Sequence, residues 1–317
     1  MIPQRRLGVV MDPIQSIKPW KDTTLAFLLE AARRDFEIRY FEMADLYLRD
    51  GRARGHGRAL AVRDDREDWF SLGAAEDIAL GDLDVILMRK DPPFDLEYVY
   101  ATQILELAEA AGSFVINRAA AIRDNNEKLA IQRFPECCAP TLVTRSAARI
   151  REFLAEQEHI VVKPLDGMGG YQVFVLQLGD PNTTMILDSI TQSGARQVMA
   201  QRYIPEIKAG DKRILVIDGE AYPYALARVP LAGETRGNLA AGGTGKGVEL
   251  TERDRWISAQ VAPFLREQGL LFVGLDVIGD YLTEINVTSP TCVRELDAIY
   301  KDNISARLFD AIETRLK

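Results

Sequence analysis

The chain has 317 residues, 47% of them hydrophobic, enough for more than one core at about 150 residues per domain, which excludes a disordered or fibrous protein. Its formal net charge of −8 excludes an electrostatic grip on DNA or RNA, which needs a basic stripe to displace counterions from phosphates. Three cysteines without metal spacing point to a reducing cytoplasm, and two histidines leave almost nothing for a His-based triad or zinc site, so chemistry falls to carboxylates, Lys and Arg.

Residues 7–11 form an apolar run too short to cross a membrane, and no later stretch approaches the ~18 charge-free residues of a span, so no membrane is expected. The same run reads as a strand. A helix follows behind Asp22 as N-cap, with Leu25, Leu28, Leu29 and Ala32 at helical spacing. Strand Val85–Met88, a helix ending near Gly112 and strand Phe114–Ile116 repeat the unit. This alternation predicts an α/β fold with a parallel sheet, whose ligands bind beyond the carboxyl ends of the strands, where Asp12 and Arg89 fall. The charge-dense segment 49–66, with three glycines, reads as a surface loop.

After Asn117 the pattern changes. The run Asp124-Asn125-Asn126-Glu127 reads as a capping box opening a short helix that carries Lys128, and the domain boundary is set there, after residue 125. Strand Thr141–Thr144, a helix from Ser146, and strands at 160–163 and 173–176 follow; strands at 214–217 and 221–227 flank the tight-turn pair Asp218-Gly219. Such glycine-joined segments predict antiparallel sheet, an α+β character in the C-terminal part. Segment 229–247 carries six glycines and hardly an apolar anchor, the composition of a functional lid or a disordered loop. A helix from Thr251 to near Gly269 precedes a hairpin of strands 271–277 and 282–287.

Three signals carry chemistry. The first is Lys163 at a strand end, running into Asp166, Gly167, Met168, Gly169 and Gly170, an ammonium and close backbone N–H groups offered to a polyphosphate; read alone it is equally a hairpin turn with a surface lysine. The second is Asp276, Glu284 and Asn286, hard oxygen ligands suited to Mg²⁺, Glu284 and Asn286 sharing the polar face of a strand whose other face is apolar. A plain two-residue turn at Gly279-Asp280 would put Asp276 on the opposite side from Glu284. One metal site therefore requires an odd connection or a bulge, expected at Gly279. The third is cationic: Arg213 and Arg228 at strand termini beside Asp211, and Arg236 in the glycine-rich segment, residues whose bland reading is solvated charge and whose sharper one is a grip on phosphate or carboxylate.

Together these pieces resemble the prokaryotic glutathione synthetases of the ATP-grasp superfamily. The likeness rests on residues 10–14 (VMDPI), 87–95 (LMRKDPPFD), 123–129 (RDNNEKL), 163–170 (KPLDGMGG), 233–243 (GETRGNLAAGG), and 273–276 with 283–291 (TEINVTSPT), in family order and nearly end to end. It implies a preATP-grasp N-terminal domain over 1–125 and a two-subdomain ATP-grasp fold, 126–203 and 204–317, with 229–247 as lid. It implies ATP with Mg²⁺, or Mn²⁺, at Asp276, Glu284 and Asn286. Lys128, Lys163 and residues 166–170 would hold the phosphates, and Gln201, Arg202, Tyr203, Ile204 and Asp211 would form and follow the adenine hinge, although Arg202 stands where the resemblance leads one to expect an amide residue. Asp12, Arg89, Thr288 and Ser289 would hold γ-glutamylcysteine and glycine. The expected reaction is ATP-dependent ligation through an acyl phosphate, giving glutathione, ADP and phosphate, with Arg213 and Arg228 donating to the oxyanion and Arg236 assisting, in a cytoplasmic homotetramer. Two rival readings keep the ATP half: another peptide ligase, or a nucleotide-binding regulator without turnover.

Overall fold

The structure is a computed structural model and describes residues 4–167, 169–230 and 244–316. Its first sheet forms from β1 (Arg6–Val10), β2 (Glu37–Phe41), β3 (Leu46–Arg49), β4 (Arg52–Val62), β5 (Phe70–Ala79), β6 (Val85–Met88) and β7 (Phe114–Ile116), in the order β3-β4-β2-β1-β6-β7 with β5 on β4. The β1–β2, β1–β6 and β6–β7 pairs are parallel, as the alternating pattern predicts. Helix α1 (Thr23–Arg33) starts where Asp22 accepts from the Leu25 N–H at 2.6 Å; α2 (Leu96–Ala110) and α3 (Ala119–Asp124) complete the layer. Because β1 and β6 stop at Val10 and Met88, Asp12 and Arg89 follow at their carboxyl ends.

Segment 49–66 is not a loop. It turns at Asp50-Gly51 and then runs as the long strand β4, paired with β3, β2 and β5. The glycines that suggested turns serve close packing: a Cβ on Gly55 or Gly57 would lie 2.6 or 2.4 Å from the Phe41 ring. Lys128 needs a second correction, because Asp124 closes α3 instead of opening a helix. Asn126 is the capping residue, its Oδ1 accepting the N–H groups of Lys128 and Leu129 at 3.0 Å each, so Lys128 sits on a turn entering the 3₁₀ segment Ala130–Arg133.

The second sheet is antiparallel, with the order β10-β9-β11-β8 built from β8 (Thr141–Thr144), β9 (His159–Pro164), β10 (Phe174–Gln177) and β11 (Val198–Arg202). Helices α4 (Ala147–Gln157) and α5 (Thr183–Ile190) cover one face, burying Ile150, Leu154 and Leu187 against Ile160, Val162 and Val198. The other face is left for the cleft.

The third sheet, β14-β13-β12-β15-β16, is also antiparallel: β12 (Asp211–Ile217), β13 (Glu220–Val229), β14 (Thr244–Glu249), β15 (Phe272–Ile278) and β16 (Tyr281–Asn286). Asp218 and Gly219 have φ of 52° and 75°, and Ile217 faces Glu220 across them, the expected tight turn. Strand β14 takes the end of the glycine-rich segment; Arg236 and the rest of 231–243 lie outside the described residues. Helix α6 (Glu252–Gln268) has a Thr251/Asp254 capping box and a left-handed Gly269 at its end. The last helices, α7 (Val293–Tyr300) and α8 (Ile304–Arg315), return to the start of the chain, where Leu296, Leu308 and Phe309 share one core with Leu7, Phe27 and Leu87. Among the described residues no helix is long and apolar enough to cross a membrane.

Candidate active site

A cavity of about 680 Å³ opens between the second and third sheets and reaches the carboxyl ends of the first. One end is walled by Val161, Val175, Tyr203, Ile204 and Ile278, the other by Asp12, Thr288 and Ser289. Between them stand Lys128, Lys163, Asp276, Glu284 and Asn286, residues far apart in sequence that converge because β9 and the β15–β16 hairpin face each other. The Nζ atoms of Lys128 and Lys163 approach the same carboxylate oxygen, Glu284 Oε1, at 3.5 and 3.7 Å.

The hairpin solves its parity problem in an unexpected place. Gly279-Asp280 is a plain two-residue turn with Ile278 opposite Tyr281, but the register shifts between Asp276 and Val277, leaving Thr283 as the extra residue on β16. Asp276 thereby pairs directly with Glu284, and the Thr283 hydroxyl donates to the Asp276 carbonyl at 3.0 Å. The required bulge exists; it sits at Thr283, not at Gly279.

Asp276 is buried and gripped by two guanidinium groups, with Arg213 Nη2 at 3.0 Å and Arg228 Nη2 at 2.9 Å from Oδ2. Burial alone would raise its pKa, yet the two cations outweigh it and hold the carboxyl well below the usual range. Asp211, which pairs with Arg228, is pushed up to about 6 by burial, against the pull of Arg228. Burial lowers the Lys163 pKa; for Lys128 the charges of Glu284 and Glu127 outweigh burial and raise it. Four cations, Lys128, Lys163, Arg213 and Arg228, thus face four carboxylates, Glu127, Asp211, Asp276 and Glu284. Asn286 donates to the Gly274 carbonyl at 3.2 Å, which leaves its side-chain oxygen for a ligand. Among the described residues no three His, Cys, Asp or Glu side chains gather as a metal site. Two carboxylates and an amide oxygen nevertheless suit a hard cation that completes its shell with phosphate oxygens and water.

Two family descriptions cover most of the chain: "Prokaryotic glutathione synthetase, N-terminal domain" matches residues 6–123 and "Prokaryotic glutathione synthetase, ATP-grasp domain" matches 127–301. Glutathione synthetase of Pseudomonas putida KT2440 is 58% identical over 312 residues, covering 98% of both chains. That of Escherichia coli K12 is 54% identical over 98% of this chain and 99% of its own. The chain belongs to the prokaryotic glutathione synthetase family. Its fold is that of ATP-grasp ligases, with a TM-score of 0.68 to D-cycloserine synthetase DcsG at 17% identity (98% of this chain, 100% of that one) and 0.62 to the ATP-grasp ligase PsnB at 16% (98% of each). As a member of the glutathione synthetase family, the protein is an ATP-dependent ligase of glutathione biosynthesis, and the ATP-grasp family to which it belongs uses ATP with divalent metal ions.

Not every residue singled out in the sequence faces the cleft. Gly167, Gly169, Gly170, Gln201, Arg202, Tyr203, Ile204, Asp211, Arg213 and Arg228 line it. Asp166 turns away to pair with Arg196, and Met168 lies outside the described residues. Arg89 is buried behind the wall, where it donates to Thr24 Oγ1 at 3.1 Å and to the Pro290 carbonyl at 2.9 Å, with its guanidinium carbon 5.4 and 5.6 Å from the Phe27 and Phe272 ring centroids. It supports the 288–291 loop from below. Asn117 does the same from the side: its amide donates to the carbonyls of Phe272 (2.8 Å) and Val287 (2.7 Å) and its oxygen accepts the Phe272 N–H at 2.9 Å. Asp12 is paired with Lys90 at 2.9 Å. Sequence reasoning missed Glu127 and Asn117; only Glu127 had a usable signal, its adjacency to Lys128.

Proposed function

We propose that the cleft ligates γ-glutamylcysteine to glycine by activating the cysteinyl carboxylate as an acyl phosphate. A carboxylate oxygen attacks the γ-phosphorus of ATP, the bond from that phosphorus to the β-bridging oxygen breaks, and ADP leaves. Glycine's amine then attacks the acyl carbon, phosphate departs with the electron pair of the C–O bond, and the amine proton is lost to solvent. Phosphoryl transfer needs positioning and charge neutralisation more than a protein nucleophile, which matches a site of lysines, arginines and carboxylates.

The observation that carries this reading is the convergence of Lys128, Lys163 and Glu284 at one point of the cleft. The two ammonium groups approach one carboxylate oxygen of Glu284, so a triphosphate at this point would be met by both cations at once. Asp276, Glu284 and Asn286 would then hold a divalent cation, Mg²⁺ or Mn²⁺, which supplies neutralisation of phosphate oxygens when bound. Gly167, Gly169 and Gly170 offer close backbone approach to the phosphates, and Arg202 to Ile204 border the base. Arg213 and Arg228, fixed by Asp276, present the remaining donors to the oxyanion of the second step. Asp12, Thr288 and Ser289 lie at the peptide end.

Lys163→Met tests the reading. Release of ADP in the presence of γ-glutamylcysteine and glycine should vanish while the melting temperature is retained; near-normal turnover overturns the phosphate role. Glycine-dependent ADP release by the unaltered protein also separates a ligase of this specificity from a nucleotide binder without turnover.

A further inference from the structure

The segment 202–204 that borders the base end of the cleft is held from two sides by residues outside every motif carrying the family resemblance. From the third sheet, the Tyr281 hydroxyl accepts from Arg202 Nη2 at 2.8 Å, and the guanidinium carbon lies 5.2 Å from the Tyr281 ring centroid. From the second sheet, the His159 ring stacks on Tyr203 with centroids 4.0 Å apart and planes 17° apart, while the Tyr203 N–H donates to the His159 carbonyl at 2.9 Å. Arg202 and Tyr203 line the cleft; His159 and Tyr281 stand behind them. The hydrogen bond and the stack are therefore made by residues that do not line the cavity to residues that do.

Tyr281 stands on a fixed platform. Its turn is held by Lys212 Nζ on the Gly279 carbonyl at 3.3 Å and by Arg253 Nε on the Asp280 carbonyl at 3.0 Å. The turn also packs on the segment after the hinge, since a Cβ at Gly279 would meet Glu206 at 3.1 Å. His159 Nε2 is buried with no hydrogen-bond partner among the described residues, and burial pushes the imidazole below its usual pKa. That nitrogen contributes no polar contact; the ring face is what the site uses.

We propose that Tyr281 and His159 are positioning residues that bracket Arg202-Tyr203 and thereby set the affinity for the nucleotide base. A guanidinium tethered by both a hydrogen bond and a ring face loses little freedom when the base docks beside it, so binding keeps energy that would otherwise go into ordering the wall. The departure at Arg202 from the expected amide then has a structural role, because an amide side chain is too short to reach Tyr281 in the same way and the bracket is specific to an Arg–Tyr pair. This inference rests on the reading of the cleft as an ATP site.

The test uses the full enzyme, with each substrate varied in turn and with magnesium tripolyphosphate, a ligand without a base, as competitive inhibitor. Tyr281→Ala should raise the KM for ATP about tenfold, the loss of roughly one hydrogen bond to a charged group, and Tyr281→Phe, which keeps the ring face, by less. His159→Ala should raise it as well, and His159→Phe should restore it. Throughout, kcat, the KM values for γ-glutamylcysteine and glycine, and inhibition by tripolyphosphate should stay unchanged. An unaltered KM for ATP in Tyr281→Ala, or parallel weakening of ATP and tripolyphosphate, overturns the bracket. Lys163→Met, read by equilibrium binding in a calorimeter because its turnover is lost, distinguishes the two levels: it should weaken binding of both ATP and magnesium tripolyphosphate, and if it weakens neither, the ATP-site reading itself fails.

Discussion

Asp276 and Glu284 look interchangeable as residue types, yet their surroundings assign them different duties. Asp276 is sealed in and pairs with two buried guanidinium groups, while Glu284 is partly exposed and, among the described residues, pairs with lysine ammonium groups at 3.5 Å or more. Removing one member of a buried charge cluster strands the others. Asp276→Asn should therefore cost about 3 kcal/mol of stability, read as a lower urea midpoint, together with activity. Glu284→Gln should abolish turnover at an unchanged midpoint. If both variants lost stability equally, the division between a carboxylate that also anchors the buried charge cluster and one that does not would be wrong. Residue spacing alone could not reveal this, because the distinction depends on Arg213, on the adjacent strand β12, and on Arg228, on β13 one strand further away.

At the scale of elements, glycine carried two opposite meanings. In Asp218-Gly219 and at Gly269 it marks a turn and a helix end through positive φ, and there the expected boundaries hold. In β4 it marks close packing under Phe41, and there the sequence misleads. Gly57→Ala should destabilise the protein by about 2 kcal/mol through overpacking, and Phe41→Leu in the same chain should recover part of the loss; an additive double variant in chemical denaturation would refute the contact. The strands with apolar repeats, β1, β6 and β7, were legible to within a residue because burial on both faces or one leaves a local pattern. The parity argument for the final hairpin was legible too, since it needs only alternation. The position of its bulge was not: Thr283 is selected by a hydrogen bond to a partner strand that no local pattern encodes.

On the scale of the whole molecule, the two ends of the chain are locked together. Glu30 in α1 binds Arg33 and Arg34, and Arg34 reaches across to Asp310 at 2.8 Å and Glu313 at 3.2 Å in α8, while Asn303 donates to Glu30 at 3.2 Å. Burial would raise the Glu30 pKa, but the hydrogen bonds from both arginines outweigh it and bring it to about 2. Its folded pKa lies below the unfolded value, so this contribution is present above the unfolded pKa and is lost as pH falls through about 2. Glu30→Gln should lower unfolding free energy by roughly 2 kcal/mol at pH 7, with the difference from the parent shrinking as pH drops below 4.5. A difference that stays constant from pH 7 to pH 3 would remove the ion pairs from the account.

The reach of Asn117 and Arg89 into the backbone around Phe272, Val287 and Pro290 means that the two halves of this reaction are inherited through different stretches of chain. On the proposed reading, recombination between diverged relatives that swapped strands β8–β11 would exchange Lys163 and its glycine turn and leave the 288–291 loop on its original foundation. On the same reading, a swap of the first 120 or so residues would replace Asp12, Arg89 and Asn117 beneath that loop and leave the meeting of Lys128, Lys163 and Glu284 intact.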